Sequence, residues 1–143
     1  MTDRMQQLVA AIYTALDGDS ALATLLGATG KVFNGLSDQV AAPFVDIGEV
    51  SNEDYGSSSG DAQEHTITIH CWTEHKNDGA SVSAVMKCTQ IAAAVRAALH
   101  DVDLTLSAGS MANLRCVSSQ PALRDPDGVS WHGVLRFRAV TEN

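Results

Sequence analysis

Glu64-His65-Thr66-Ile67-Thr68-Ile69-His70-Cys71-Trp72-Thr73 alternates residue by residue. Ile67, Ile69 and Cys71 fall on one side of an extended chain and Thr66, Thr68, His70 and Trp72 on the other, which is the pattern of a strand with one face against a core. The opposite face is then either exposed or covered by a partner. Trp72 stands on that face, so it either covers a second apolar layer or lies at a contact between copies, where aromatic residues are enriched.

Upstream, Pro43-Phe44-Val45-Asp46-Ile47-Gly48-Glu49-Val50 reads as a second strand that starts at a proline, where the missing N–H does least harm. Lys31-Val32-Phe33 reads as a short one. Residues 51–62 include Asn52-Glu53-Asp54-Tyr55-Gly56 and a run of serines and glycines, a composition that supports no core of its own. They are expected to form a mobile hairpin tip carrying Asp54 and Tyr55. At the N-terminus Leu8, Ala11, Ile12, Ala15 and Leu16 recur at spacings of three and four, a helical face that Thr2 or Asp3 would cap. Asp17-Gly18 stops that helix. Asp19 caps a short second one over 20–26, which Gly27 ends.

Downstream, a long helix is predicted over 78–100, with Val82, Val85, Met86, Thr89, Ala92, Val95 or Arg96, and Leu99 on its inner face. Leu104-Thr105-Leu106 and residues 111–120 read as further strands. Asp125-Pro126-Asp127-Gly128 is a turn, and residues 131–141 form a closing strand with Leu135, Phe137 and Ala139 inward. Arg136 and Arg138 then project from the other side, either available to carboxylates of a neighbouring copy, or solvated, or with one of them bonded within its own subunit. Helix, strands, helix, strands is an α+β pattern: a two-layer fold, mostly antiparallel sheet against an N-terminal helix and one long central helix. No internal repeat or linker interrupts it, so residues 1–143 are expected to form one domain.

Composition narrows the function classes. With 45% hydrophobic and 18% charged residues the 143-residue chain is globular in type. No uncharged apolar run approaches the ~20 residues of a membrane helix, and the first residues lack signal-peptide character, so neither membrane nor export is expected. Nine acids against the single base Lys76 in 38–78 exclude that segment as a DNA-binding face, while Arg115, Arg124, Arg136 and Arg138 gather in the last third. Such asymmetry suits contact between copies of one protein as well as plain solvation. Three cysteines, Cys71, Cys88 and Cys116, cannot all pair within the chain, and a reducing compartment is the simplest reading.

Catalytic and metal motifs are missing. His65, His70, Cys71 and His75 invite a metal reading, but His70 points away from Cys71, and ten residues of strand, roughly 33 Å, separate His65 from His75. Ordinary surface histidines and a core cysteine are expected instead. Gly27-Ala28-Thr29-Gly30-Lys31 has the wrong glycine spacing for a phosphate loop. Asp125-Pro126-Asp127-Gly128 lacks the third ligand and distal glutamate of a calcium loop. No Gly-x-Ser-x-Gly elbow occurs. No cofactor, no metal and no enzymatic activity are expected.

Several short signals in a fixed order carry a resemblance over nearly the full length: Ile12-Tyr13 with Ala15-Leu16, Val32-Phe33, Pro43-Phe44-Val45 with Ile47-Gly48-Glu49, and Glu64-His65 leading to Trp72. Ala97-Ala98-Leu99-His100, Leu104-Thr105-Leu106, Arg124-Asp125-Pro126-Asp127-Gly128, His132-Gly133 and Phe137-Arg138-Ala139 continue it. In this order and spacing the chain resembles the tail terminator (tail completion) family of long-tailed bacteriophages, also found in prophages and gene transfer agents. Phe44 replaces a common tyrosine, and Cys71-Trp72 a common Val-Trp.

The resemblance implies an α+β structural protein of the virion tail, assembled in the bacterial host cytoplasm. Its implied form is a ring, usually of six copies, that caps the tail tube at the head-proximal end, terminates elongation and makes the tail side of the head-tail joint. The implied partners are further copies of itself, the major tail tube protein and a head-tail connector or neck protein, with DNA passing through the channel without sequence-specific binding. A neighbouring connector or head-closure protein is the alternative, and a small-ligand enzyme the third reading. Trp72, Arg136, Arg138, Asp54 and Tyr55 are the candidate subunit or tube interface.

Overall fold

Met5, Leu8, Val9, Ile12 and Leu16 are the buried residues of helix α1 (Met5–Asp17), and Cys88, Ile91, Ala92, Val95 and Leu99 those of helix α3 (Ala84–Leu99). Each set recurs at three and four residues, so each helix offers one apolar stripe to a sheet. The computed structural model describes residues 4–35, 40–56, 58, 60–75, 83–107 and 111–142. Between the two long helices and after them come α2 (Ser20–Leu26), β1 (Val32–Asn34), β2 (Phe44–Asp54), β3 (Ala62–Glu74), β4 (Val102–Thr105), β5 (Met111–Arg124) and β6 (Ser130–Glu142).

The strands make one curled sheet in the order β1-β2-β3-β6-β5-β4. Every pairing is antiparallel except β1 with β2. Helix α3 packs on β3, β5 and β6 and α1 on β1, β2 and β4, so Ile67, Ile69, Cys71, Leu135, Phe137 and Ala139 meet the helices in one core. The α+β architecture expected from the sequence is the one found.

The sheet is stepped. Ser51, Thr66, Arg138 and Arg115 lie side by side across β2, β3, β6 and β5, and so do Ile47, Ile69, Leu135 and Ser119. β1 pairs with β2 only at residues 45–47, and β4 with β5 only at residues 111–114. Each short strand thus widens the sheet at one end and on one side. Among the described residues, 48–54 of β2 have no strand on their outer edge, and neither do the last residues of β5.

Several expectations need correction. Residues 51–54 are strand, not loop, because Ser51, Asn52, Glu53 and Asp54 pair with Thr66, His65, Glu64 and Gln63. Ladder hydrogen bonds outweigh their polar composition, and β2 runs through Asp54. Helix α1 starts after Arg4, whose side chain makes no cap; Thr2 and Asp3 lie outside the described residues. Ser83 caps α3 by accepting from the Met86 N–H, so that helix begins at Ala84, and Asp78 and Val82 lie outside the described residues. Val85, Met86 and Thr89 face solvent, since the true stripe runs through Cys88 and Ile91. Helix α2 matches its reading, with Asp19 accepting from the Leu22 N–H and Gly27 ending it at φ 83°. β4 is Val102–Thr105, β5 extends to Arg124 and β6 begins at Ser130.

His65 is the largest surprise, because it is no surface histidine. It is fully buried beside Ile67, with Nδ1 2.7 Å from Asn52 Oδ1 and Nε2 2.7 Å from Thr141 Oγ1. Asn52 Oδ1 can only accept, so Nδ1 carries the proton and Nε2 accepts from the Thr141 hydroxyl. A histidine placed in this way ties β2, β3 and β6 together at one end of the sheet. His65→Leu is expected to lower unfolding free energy in urea by about 1–3 kcal/mol, because buried polar partners are left behind. Phe137→Ala in the core is expected to cost about 3–5 kcal/mol in the same assay.

Candidate assembly surface

The face of the sheet away from the helices carries an unbroken row of chemically distinctive side chains. It begins at Phe44, whose ring lies edge-on to Phe33 at 6.2 Å and is stacked with Trp72 at 6.5 Å. Trp72 and His132 are direct partners across β3 and β6, and their rings stack at 3.9 Å with an angle of 7° between planes. His132 in turn stacks on His70 at 4.8 Å. Alternation fixes this arrangement, since Trp72, His70 and His132 all sit at outward positions.

A bulge brings the next residue in. Between Ile47 and Val50 the register shifts, so Gly48 and Glu49 together face Thr68 alone. Only glycine fits at 48, because a Cβ there would lie 2.6 Å from His70 Cδ2. Glu49 is thereby aimed at His70, with Oε2 2.8 Å from Nε2. His70 Nδ1 is 2.6 Å from His132 Nε2. Carboxylate Oε2 only accepts, so His70 donates from Nε2 to Glu49, while one proton bridges His70 Nδ1 and His132 Nε2.

Electrostatics follow from that chain. The hydrogen bond from His70 holds Glu49 below the usual carboxylate value, with Arg136 adding a weaker pull. Burial, and then the neighbouring His70, push His132 down, against opposing pulls from Asp125 and Glu49. Neutral histidines are therefore the resting form of His132, and a cation there would be poorly solvated.

Farther along the face, Arg136 is exposed and Arg138 is not free. Arg138 grips Glu64 with Nε 2.9 Å from Oε1 and an Nη 3.2 Å from Oε2. Its guanidinium also lies 5.7 Å from the centre of the Tyr55 ring. The ion pair lowers Glu64 and raises Arg138, so both stay charged. Of the alternatives for the two arginines, Arg138 takes the bond within its own subunit, to Glu64, while Arg136 stays exposed. Asp54 does not join the row; its Oδ1 accepts from the Gly56 N–H at 3.0 Å and shapes the turn.

Trp72, Arg136, Arg138 and Tyr55 are thus brought onto one surface, together with Glu49, Glu64, His70 and His132, which the sequence reading did not single out. Alternation already placed His70 on Trp72's face. The pairing of His70 with His132, 62 residues apart, depends on a register no local pattern encodes.

Nothing in this row supplies a nucleophile. Burial pushes the Cys71 thiol far up and the Cys88 thiol up to about 11. Among the described residues no three His, Cys, Asp or Glu side chains are placed to share a metal ion.

The family model described as tail completion protein gp17 matches residues 10–142. A solved chain from a structure titled "Virion of native gene transfer agent (GTA) particle" is similar over 100% of both chains, with 26% identity and a TM-score of 0.81. No curated protein matches the chain.

Acid should weaken this surface in two separate windows. His132 has a folded value below its ordinary 6.5, so the unfolded chain binds the proton first. Its contribution is full above that ordinary value and declines as pH falls below it. Glu49 and Glu64 are depressed below 4.5, so their contribution is lost only as pH falls from there through the folded values. Thermal melts at about pH 7 and pH 5.5 should show a fall in Tm that is smaller in His132→Phe than in the parent.

Proposed function

The chain belongs to the tail completion protein gp17 family, and from that membership we propose that it forms a ring, usually of six copies, capping the tail tube at its head-proximal end. As a tail component of a virion it assembles with other virion proteins. The finer reading is that the ring ends elongation, meets the major tail tube protein on one side and a connector or neck protein on the other, and is put together in the bacterial cytoplasm. DNA crosses its channel without sequence-specific contact. The acidic middle of the chain fits this role, because carboxylates discourage phosphates from sticking to a passage.

One observation carries the reading: a sheet face that no helix covers among the described residues bears a polar and aromatic row instead of plain solvated side chains. Trp72 is half-buried between Phe44 and His132, a rigid anchor of the kind that dominates protein contacts. Arg136 adds an exposed charge beside it, and Tyr55 over Arg138 adds a second aromatic rim. We assign Trp72, Arg136, Arg138 and Tyr55 to the contact with a tube subunit or a neighbouring copy, while Asp54 holds the turn that presents Tyr55.

Light scattering and negative-stain imaging of the purified chain test the ring, and a monomer at all concentrations would overturn it. Arg136→Glu is expected to fold with an unchanged Tm and to weaken assembly by about tenfold at low salt, less at high salt. Trp72→Ala should keep its secondary structure and lose assembly. If these variants form rings normally but no longer cap tubes, the face belongs to the tube contact.

A further inference from the structure

The stepped outline of the sheet leaves two strand edges open on opposite sides, at opposite ends, and running antiparallel to one another. We infer that the open edge of β2 in one copy pairs with the open edge of β5 in the next, joining neighbouring copies through a continuous sheet. This rests on the ring reading above and names the contact that would build it.

Charge excludes one register of such a contact. Pairing without a shift would lay residues 52–54 of one copy beside β4 of the next, since Asn52 and Val102 stand at the same height. Glu53 would then stand level with Asp103, with Asp101 on the diagonal, and like charges across strands are destabilising. A shift along the strands removes that clash. Residues 48–54 hold Glu49, Glu53 and Asp54, whereas 117–124 hold no acid, end in Arg124 and follow directly on Arg115. Centring Ser51 on Gln120, both of which point to the outer face, sets the acid-bearing edge of one copy against the acid-free edge of the next.

The edges are suited to it in other ways. Toward β4, the β5 edge is already satisfied: the Asp101 N–H donates to Leu114 O, and the Cys116 N–H donates to His100 Nδ1. The opening therefore begins just past Cys116. Beside the β2 edge runs an open groove lined by Val9 and Tyr13 of α1 and by Val50. Tyr13 and Val50 are 37% and 44% exposed, and a strand laid along this edge would cover them. A strand laid between a strand edge and a helix is a common mode of recognition, with backbone bonds giving affinity and side-chain pockets giving choice.

The shift is also compatible with closure. On β6 the levels of Ser51 and Gln120 are marked by Arg138 and Val134, four residues apart. That is ~14 Å of offset for ~19 Å of sheet width across four strands. The ratio corresponds to a strand tilt of about 36°, at the lower end of the roughly 35–45° that closed sheets adopt.

Cysteine pairs test the contact directly. Ser51→Cys with Gln120→Cys, both at exposed positions, is made in a Cys116→Ser chain that keeps the buried Cys71 and Cys88. After mild oxidation a denaturing gel should show a ladder of covalent multimers up to the size of the ring, with loss of the monomer band. Glu53→Cys with Asp103→Cys, the unshifted register, should give none. Rings seen by light scattering with no ladder from the first pair, or with a ladder from the second, overturn the edge contact and leave the ring reading standing. A parent chain that never assembles overturns both.

Discussion

Thirteen consecutive residue pairs join β3 to β6, from Ala62 with Glu142 to Glu74 with Ser130, without a bulge. This pairing sets which side of the sheet is which. A shift of β6 by one residue against β3 would turn Leu135 and Phe137 out to solvent and bury Arg136 and Arg138 beside Ile67 and Ile69, so the core itself enforces the register. On the helix side the same register stacks a closed apolar layer under α3. On the other side it lays Trp72 against His132 and sets Thr66 opposite Arg138, two residues from Glu64. The surface chemistry is therefore a by-product of core packing, held as rigidly as the core is.

The strands flanking that pair are irregular where the central one is not. β2 bulges at Gly48 and Glu49, and β5 shifts register between Cys116 and Ser118 and again between Gln120 and Leu123. Each irregularity re-aims something. The first lets the His70 ring lie over Gly48 and turns Glu49 toward it. The last brings the Pro121 carbonyl to 3.0 Å from where a Cβ on residue 133 would stand, which explains glycine there, directly beneath Cys88. A regular central pair with bulged neighbours gives a sheet that curls around its helices while keeping one stiff spine.

Much of this was legible in the sequence, for a physical reason that also marks the limit. Alternation in β3 and β6 is a local consequence of strand geometry, so the inward Ile67, Ile69, Cys71, Leu135, Phe137 and Ala139 could be read without knowing the fold. The stripe of α3 was misread at its start, because its many alanines give little contrast between faces and Val85 and Met86 are apolar yet solvent-facing. Residues 51–54 looked like loop because composition does not register ladder bonds made with residues about nine to fifteen positions away. His65 was unreadable in principle: its partners, Asn52 and Thr141, lie 13 and 76 residues from it. Of the interface residues, the outward direction of Trp72, Arg136 and Arg138 followed from period two, but the capture of Arg138 by Glu64 depended on register across strands.

An open strand edge is a hazard, since it can template indefinite pairing, and proteins that keep one restrict what may join it. Here the β5 edge is interrupted by two bulges and by Pro121, so only a short stretch around Ser118, Ser119 and Gln120 is regular enough to pair. The β2 edge is guarded by Glu49, Glu53 and Asp54, which repel another copy of themselves and so disfavour an edge meeting its own kind. Together these features reject symmetric β2-to-β2 pairing and leave a head-to-tail contact between unlike edges. A head-to-tail contact closes into a ring only if its rotation and offset close, and otherwise grows into a fibre. In the edge contact inferred above, short and bulged edges restrict the offset, and a restricted offset is what would allow a contact of this type to end in a closed assembly.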